Sequence, residues 1–170
     1  YNRKRRLKEK MNGMDVFRAA IPQLPRHLMV GRALWQFSGA IAFFLMGLKV
    51  PHHDLTVVYS PPLPLGISAW MLRVIKGAPF ILNVQDLFPQ SIIDLRLVKN
   101  KWIIRFFEMM ERFVYRRADI ITVHSESNKK HVVSKGASSE KIMVIPNWVD
   151  TEFIEPADRM NGFRREHGLG

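Results

Sequence analysis

Three short apolar runs, Leu55 to Tyr59, Phe80 to Val84 and Ile120 to His124, are separated by helix-length segments, and each ends abruptly in a polar or proline-bearing cluster. They are rich in β-branched and aromatic residues, the character of strands buried in a parallel sheet. Parallel neighbours cannot be joined by a tight turn, so helices must cross between them. The chain is therefore predicted to be α/β, with a Rossmann-like parallel sheet and helices on both faces.

The intervening segments supply those helices. Leu65 to Lys76 is closed by Gly77 as a left-handed cap, and Pro79 prevents its resumption. Asn100 to Arg117 is amphipathic, with Trp102, Ile103, Phe106, Met110, Phe113 and Val114 on a stripe expected to face the core. Its polar side offers Glu108 and Arg112 at i to i+4 spacing, and Arg116 and Arg117 complement the negative end of the helix dipole. Ser125 caps a helix ending near Gly136, and Ile142 to Ile145 reads as one more strand before Pro146. Upstream, Asn12-Gly13 signals a tight turn, followed by a strand from about Met14 to Ala20. Pro22 and Pro25 then break the chain before a long apolar helix from about Leu28 to Leu48.

A chain of 170 residues with 47% hydrophobic composition holds one domain with a continuous core. Without cysteine it has no disulfide framework, thiolate metal site or cysteine nucleophile, and it suits a reducing, cytoplasmic compartment. Its 26 Lys and Arg against 15 acidic residues give a net charge of +11, which asks for a polyanionic neighbour. Arg3, Lys4, Arg5, Arg6, Lys8 and Lys10 face only Glu9, either as a solvated terminus or as a patch for a membrane surface. The stretch from Ala33 to Val50 contains Gln36, Ser38 and Lys49 and falls short of the ~20 apolar residues of a spanning helix. It is expected to be buried in the domain or to lie at a membrane surface. It also sits too far in for a cleaved signal peptide, and with no initiator methionine a preceding segment is expected.

In open α/β sheets ligands bind beyond the carboxyl ends of the strands, which nominates Ser60-Pro61-Pro62, Gln85 to Pro89 and His124 to Ser127. No G-x-G-x-x-G, P-loop, G-x-S-x-G or H-E-x-x-H motif is present, so the corresponding redox, phosphate-hydrolysing, esterase and zincin chemistries lose support. His52 and His53 are adjacent rather than spaced along one helix face, which favours a loop pair over a metal site.

At these strand ends the sequence resembles the retaining family-four glycosyltransferases, enzymes of the two-domain GT-B fold, and especially the branch that builds polysaccharides and lipid-linked sugars. The resemblance is carried by Tyr59-Ser60-Pro61-Pro62-Leu63-Pro64-Leu65-Gly66 and by Gly77 to Ser91 with its Val84-Gln85-Asp86-Leu87-Phe88-Pro89 centre. It continues from Glu111 through Ala118-Asp119 to Ser125, and from Glu140 through Ile145-Pro146-Asn147-Trp148-Val149-Asp150.

The resemblance implies that residues 1–150 are most of an acceptor-side N-terminal domain and that 151–170 begin the crossing to a donor-binding domain outside this sequence. The glycine-rich loop after the family's first strand and the E-x7-E donor motif are expected to lie outside it as well. It further implies a nucleotide-sugar co-substrate, a sugar or lipid-linked sugar acceptor, no metal and no other cofactor, and work at the inner face of the cell membrane. Asp86 is the implied catalytic position, orienting the acceptor or stabilising positive charge on the transferred sugar. Ser60 and Gln85 are implied cleft residues, with Ser125 and Asn147 at the cleft edge or hinge. As structural alternatives, Asp86 caps the loop to Phe88-Pro89, Ser125 caps a helix, and the two prolines after Ser60 simply end a strand. Two positions depart from the family. Gln85 stands where many members have histidine, and Trp148 where a small residue, usually glycine, is common. Glutamine can hydrogen-bond a sugar hydroxyl but cannot exchange a proton near neutral pH.

Two other classes remain. A basic chain with interspersed aromatics also fits a nucleic-acid module. Against it, Trp102, Phe106 and Phe113 are expected in the core, and much of the excess charge sits at the start. The apolar helix and basic terminus also fit a non-catalytic membrane-surface protein.

Overall fold

The computed structural model describes residues 8–22, 29–154, 156 and 158–169. Arg3 to Arg6, Pro25 and Leu28 lie outside the described residues, and with them most of the basic start and the expected first residue of the long helix.

Strands β1 (Lys8–Met11) and β2 (Met14–Phe17) form an antiparallel hairpin with Lys8 opposite Phe17. Asn12 and Gly13 turn it with φ of 49° and 82°, the paired positive values of a tight hairpin turn. The predicted strand from Met14 thus exists, but it stops at Phe17 and pairs outside the main sheet. Its partner, Lys-Glu-Lys-Met, carries too much charge to signal a strand by its pattern.

Helix α1 (Met29–Lys49) leads to β3 (Thr56–Ser60), α2 (Pro64–Lys76) and β4 (Phe80–Val84). A short helix α3 (Gln90–Asp94) follows the strand-end cluster after β4, and then come α4 (Lys101–Arg117), β5 (Ile120–Val123), α5 (Glu126–Ser134) and β6 (Ile142–Val144). A last short helix, α6 (Gly162–Glu166), follows. β3, β4, β5 and β6 form one parallel sheet in that order, so the predicted α/β class and the adjacency of its three runs hold.

Because successive strands are neighbours, right-handed crossovers carry α2, α4 and α5 to one face. Phe80, Leu82 and Val84 of β4 share that face with Ile121, Val123 and Ile142, and pack in one core with Leu63, Ala69, Met110, Val114 and Val132. Full burial of a side chain such as Leu82 contributes about 2 kcal/mol. The other face is exposed at the edge strands, where Val57, Tyr59 and Met143 are 56, 59 and 52% exposed. Helices on both faces require a strand order that reverses direction, which these four strands do not have.

α2 and α4 meet so closely that a Cβ on Gly66 would lie 2.3 Å from a methyl of Val114. Farther along α4 the buried face differs from the predicted stripe. Phe107, Met110, Glu111, Val114 and Tyr115 are buried, while Trp102 is 81% exposed and Ile103 and Phe106 are about half exposed. Apolar residues wrap most of this helix, so hydrophobicity alone does not mark its inner side. Glu111 lies inside because α5 answers its charge: His131 Nε2 is 3.3 Å from one oxygen and Lys135 Nζ 3.4 Å from the other. Glu108 pairs with Lys135 at 3.2 Å rather than with the predicted Arg112. Burial first, and then the nearby Glu111 carboxylate, push the Tyr115 phenol far above its ordinary pKa.

Candidate functional site

The amino ends of the strands are pinned. Asp119, immediately before β5, receives the Arg73 guanidinium in two-pronged fashion, with two contacts at 2.8 Å, and accepts the Phe80 backbone N–H at 2.9 Å. The Arg73 hydrogen bond holds the Asp119 carboxyl below its ordinary value, overriding the opposing effect of partial burial. Lys141 Nζ donates to the Arg116 and Ala118 carbonyls at 2.9 Å each, tying the end of α4 to the turn before β6. His53 bridges the Pro51 carbonyl and Thr56 Oγ1 at 3.2 and 3.0 Å, a loop role for one of the paired histidines. The Ala118-Asp119 part of the sequence motif is therefore a structural pin at this end.

The carboxyl ends are built differently. Side chains alternate across a strand, so Tyr59, Asn83 and Thr122 fall in one row on the open face of β3, β4 and β5. Gln85 and His124 follow two residues beyond Asn83 and Thr122. With Ile145, Pro146, Asn147 and Trp148 these residues line a groove of about 220 Å³ at the carboxyl end of the sheet.

The groove wall is polar in a particular way. Asn83 Oδ1 accepts from Gln85 Nε2, which orients the glutamine amide. Thr122 Oγ1 and both ring nitrogens of His124 are buried without a hydrogen-bond partner. An unpaired buried polar atom costs roughly 1–3 kcal/mol, and such a cost is retained where a ligand or water completes the bonding. Tyr59 and Trp148, 59 and 88% exposed, flank these groups with aromatic surface. Planar amides, a hydroxyl, an imidazole and two aromatic faces can together receive a polyhydroxylated ring.

Of the sequence-predicted residues, Gln85 and Asn147 come together in this groove. Asp86 is exposed one residue beyond Gln85 and does not line it. Ser60 shares the packed face of β3 with Val58 and is only 2% exposed. Ser125 caps α5, its Oγ accepting the Asn128 backbone N–H at 3.2 Å. Tyr59, Asn83, Thr122, His124 and Trp148 were not among the predicted site residues. His124 stands in a nominated strand-end cluster, and counting back by two from Gln85 and His124 reaches Asn83 and Thr122. Among the described residues no three His, Cys, Asp or Glu side chains cluster for a metal ion.

A four-stranded parallel sheet with a polar groove at its carboxyl edge has the general form of an open α/β ligand-binding domain, and sequence comparison gives its family. The glycosyl transferase 4-like domain family matches residues 1–148, and the chain belongs to that family. It is 22% identical over 140 residues to the Probable glycosyltransferase WbjE of Pseudomonas aeruginosa, spanning 81% of this chain and 35% of that protein. Among solved structures it is similar in fold to Anabaena Alr3699/HepE in complex with UDP-glucose, with a TM-score of 0.54 and 15% identity over 75% of this chain and 32% of the other. The same protein in complex with UDP and glucose gives a TM-score of 0.51 and 17% identity over 76% of this chain and 33% of the other. The chain thus spans about a third of the length of these relatives.

Proposed function

We propose that residues 1–150 are most of the acceptor-side N-terminal domain of a retaining GT-B glycosyltransferase, and that 151–170 lead toward its donor-binding domain. The complete enzyme moves a sugar from a nucleotide-sugar to a polysaccharide or lipid-linked acceptor, without metal or other cofactor, at the inner face of the cell membrane. The observation that supports this best is the groove at the carboxyl ends of β3, β4 and β5, where Asn83, Gln85 and Asn147 present amides between Tyr59 and Trp148. In this reading the amides and Thr122 bind acceptor hydroxyls, and the aromatic rings cover the apolar face of the sugar. Asp86, at the exposed rim, stabilises positive charge developing on the transferred sugar as it leaves the nucleotide. Ser60 stiffens the floor from the packed side, and Ser125 holds the N-terminus of α5 at the cleft edge.

Transfer requires donor and acceptor held together, so the chain alone is expected to bind acceptor weakly and to transfer nothing. Titrating isotopically labelled protein with short acceptor saccharides tests this. Shifts gathered at Asn83, Gln85, Asn147 and the Trp148 indole support the reading. Shifts gathered elsewhere, or robust transfer by this chain with any nucleotide-sugar, refute it.

A further inference from the structure

The outward side of the helical layer carries an apolar face that no described residue covers. On α1, Leu34, Ile41, Leu45 and Leu48 recur at helical spacing and are 54, 61, 53 and 39% exposed. Phe37, one turn from both Leu34 and Ile41, meets Phe106 of α4 with ring centroids 6.3 Å apart. The face therefore continues onto α4, where Trp102 and Met109 are 81 and 63% exposed. α2 packs against both helices and adds Val74 and Ile75. Scattered apolar residues on a surface are ordinary, but a continuous face across three helices marks a contact surface.

Beside it α4 forms a hollow of about 590 Å³, lined by Arg105, Arg112, Arg116 and Arg117 over Met109 and Phe113, with Glu108 at one side. Glu108 is taken by Lys135. Among the described residues no carboxylate lies within ion-pair distance of those four arginines. Arg117 lies over the Phe113 ring, 5.6 Å from its centroid, which keeps one guanidinium against the apolar floor.

Unneutralised guanidinium groups over an apolar floor, adjoining an aliphatic and aromatic face, match phosphate groups standing above acyl chains. We infer that the outward face of α1, α2 and α4 docks on an anionic lipid bilayer, with the arginine hollow receiving lipid phosphates and Trp102 seated at the acyl boundary. A second copy of the chain fits this face poorly, because two-fold pairing would bring the arginines together. Nucleic acid would answer the arginines but leave the α1 stripe without an apolar partner. No described helix is long and apolar enough to cross a membrane, so the docking inferred is that of a surface. The inference rests on the membrane part of the proposed function and is independent of the sugar groove.

Co-sedimentation with phosphatidylcholine vesicles, with and without phosphatidylglycerol, tests it. Binding is expected only with the anionic lipid, weakening with salt, and with a blue shift of tryptophan emission that Trp102→Ser removes. Arg105→Gln and Arg112→Gln should each lower partitioning about fivefold, as expected for loss of one cation at a charged membrane surface. Trp148→Ser, in the groove, should bind vesicles as the parent does, and matched urea unfolding of all variants verifies their fold. Equal binding to neutral vesicles, or none to anionic ones, overturns the inference. So does nucleic-acid binding or concentration-dependent dimerisation that the same variants abolish while vesicles are ignored. Absence of saccharide binding by the parent protein, with its vesicle binding intact, would sink the transferase reading alone.

Discussion

The two ends of the parallel sheet are made of similar residues put to opposite uses. At the amino end, Asp119 has each oxygen engaged, by Arg73 and by the Phe80 backbone, and Lys141 satisfies two carbonyls at the end of α4. At the carboxyl end, Thr122 and His124 are enclosed with their polar atoms unpaired. The satisfied end holds the crossovers in place, whereas the unsatisfied end retains a cost that a ligand can relieve. On the proposed function, stability and recognition are separated along one strand direction, and variants at the two ends should have different signatures.

The largest effect should come at the carboxyl end. In the complete enzyme of the proposed function, Asp86→Asn is expected to lower kcat by about 100-fold while leaving the melting temperature unchanged. Equal turnover would put the charge-stabilising group elsewhere. The converse is expected of Asp119→Ala, which strands the Phe80 N–H and should cost about 2 kcal/mol in urea unfolding with saccharide affinity unaltered. A comparable loss of saccharide binding would mean that the two ends are coupled.

Thr122→Val sharpens the comparison, because it replaces an unpaired buried hydroxyl by a methyl of similar shape. It should leave stability equal or up to ~1 kcal/mol higher while weakening saccharide binding several-fold, a trade expected only at a site kept for a ligand. Lower stability with unchanged binding would mark Thr122 as a packing residue. The smallest effect concerns acid. The folded-state pKa of Asp119 lies below the ordinary 3.8, so its stabilisation is complete above the unfolded value and fades as pH falls through the folded one. Asp119→Asn should flatten the stability curve in that window below pH 3.8, measured by thermal melts; an unchanged acid limb would locate the dependence in other carboxylates.

Much of the scaffold was legible before the structure. β4 occupies the predicted run, β3 is shifted from its run by one residue, β5 ends one residue short of its run, and Gly77 closes α2 with φ of 78°, because short apolar runs and left-handed caps are local signals. The inner side of α4 was not legible. Glu111 is buried through His131 and Lys135, which lie twenty or more residues farther along, and no periodicity reports such a pairing. For the same reason the aromatics argued to lie in the core, Trp102 and Phe106, emerge beside arginines instead. In the groove, position after a strand found Gln85 and the family resemblance supplied Asn147, but Ser60 falls on the packed face because the last residue of β3 is in phase with Val58. That phase depends on where pairing stops, which a single-residue shift in strand end alters completely.

The hairpin turn has a consequence for how a sample of this protein ages. The sequence contains two Asn-Gly pairs, at Asn12 and at Asn161. Asn161 caps α6 and its side chain accepts the Arg164 N–H at 3.1 Å, which holds the amide away from the backbone nitrogen of Gly162. Asn12 is exposed in an open turn next to a glycine that offers no side chain to block attack. Cyclisation and hydrolysis there would turn the amide into a carboxylate or insert an extra backbone carbon as isoaspartate. Either product, formed with loss of ammonia, lowers the net charge by one, and the second also lengthens a turn that has room for two residues only. Stored protein should therefore drift toward more acidic forms whose change maps to Asn12 before Asn161, with the pairing of Lys8 and Phe17 the first to loosen.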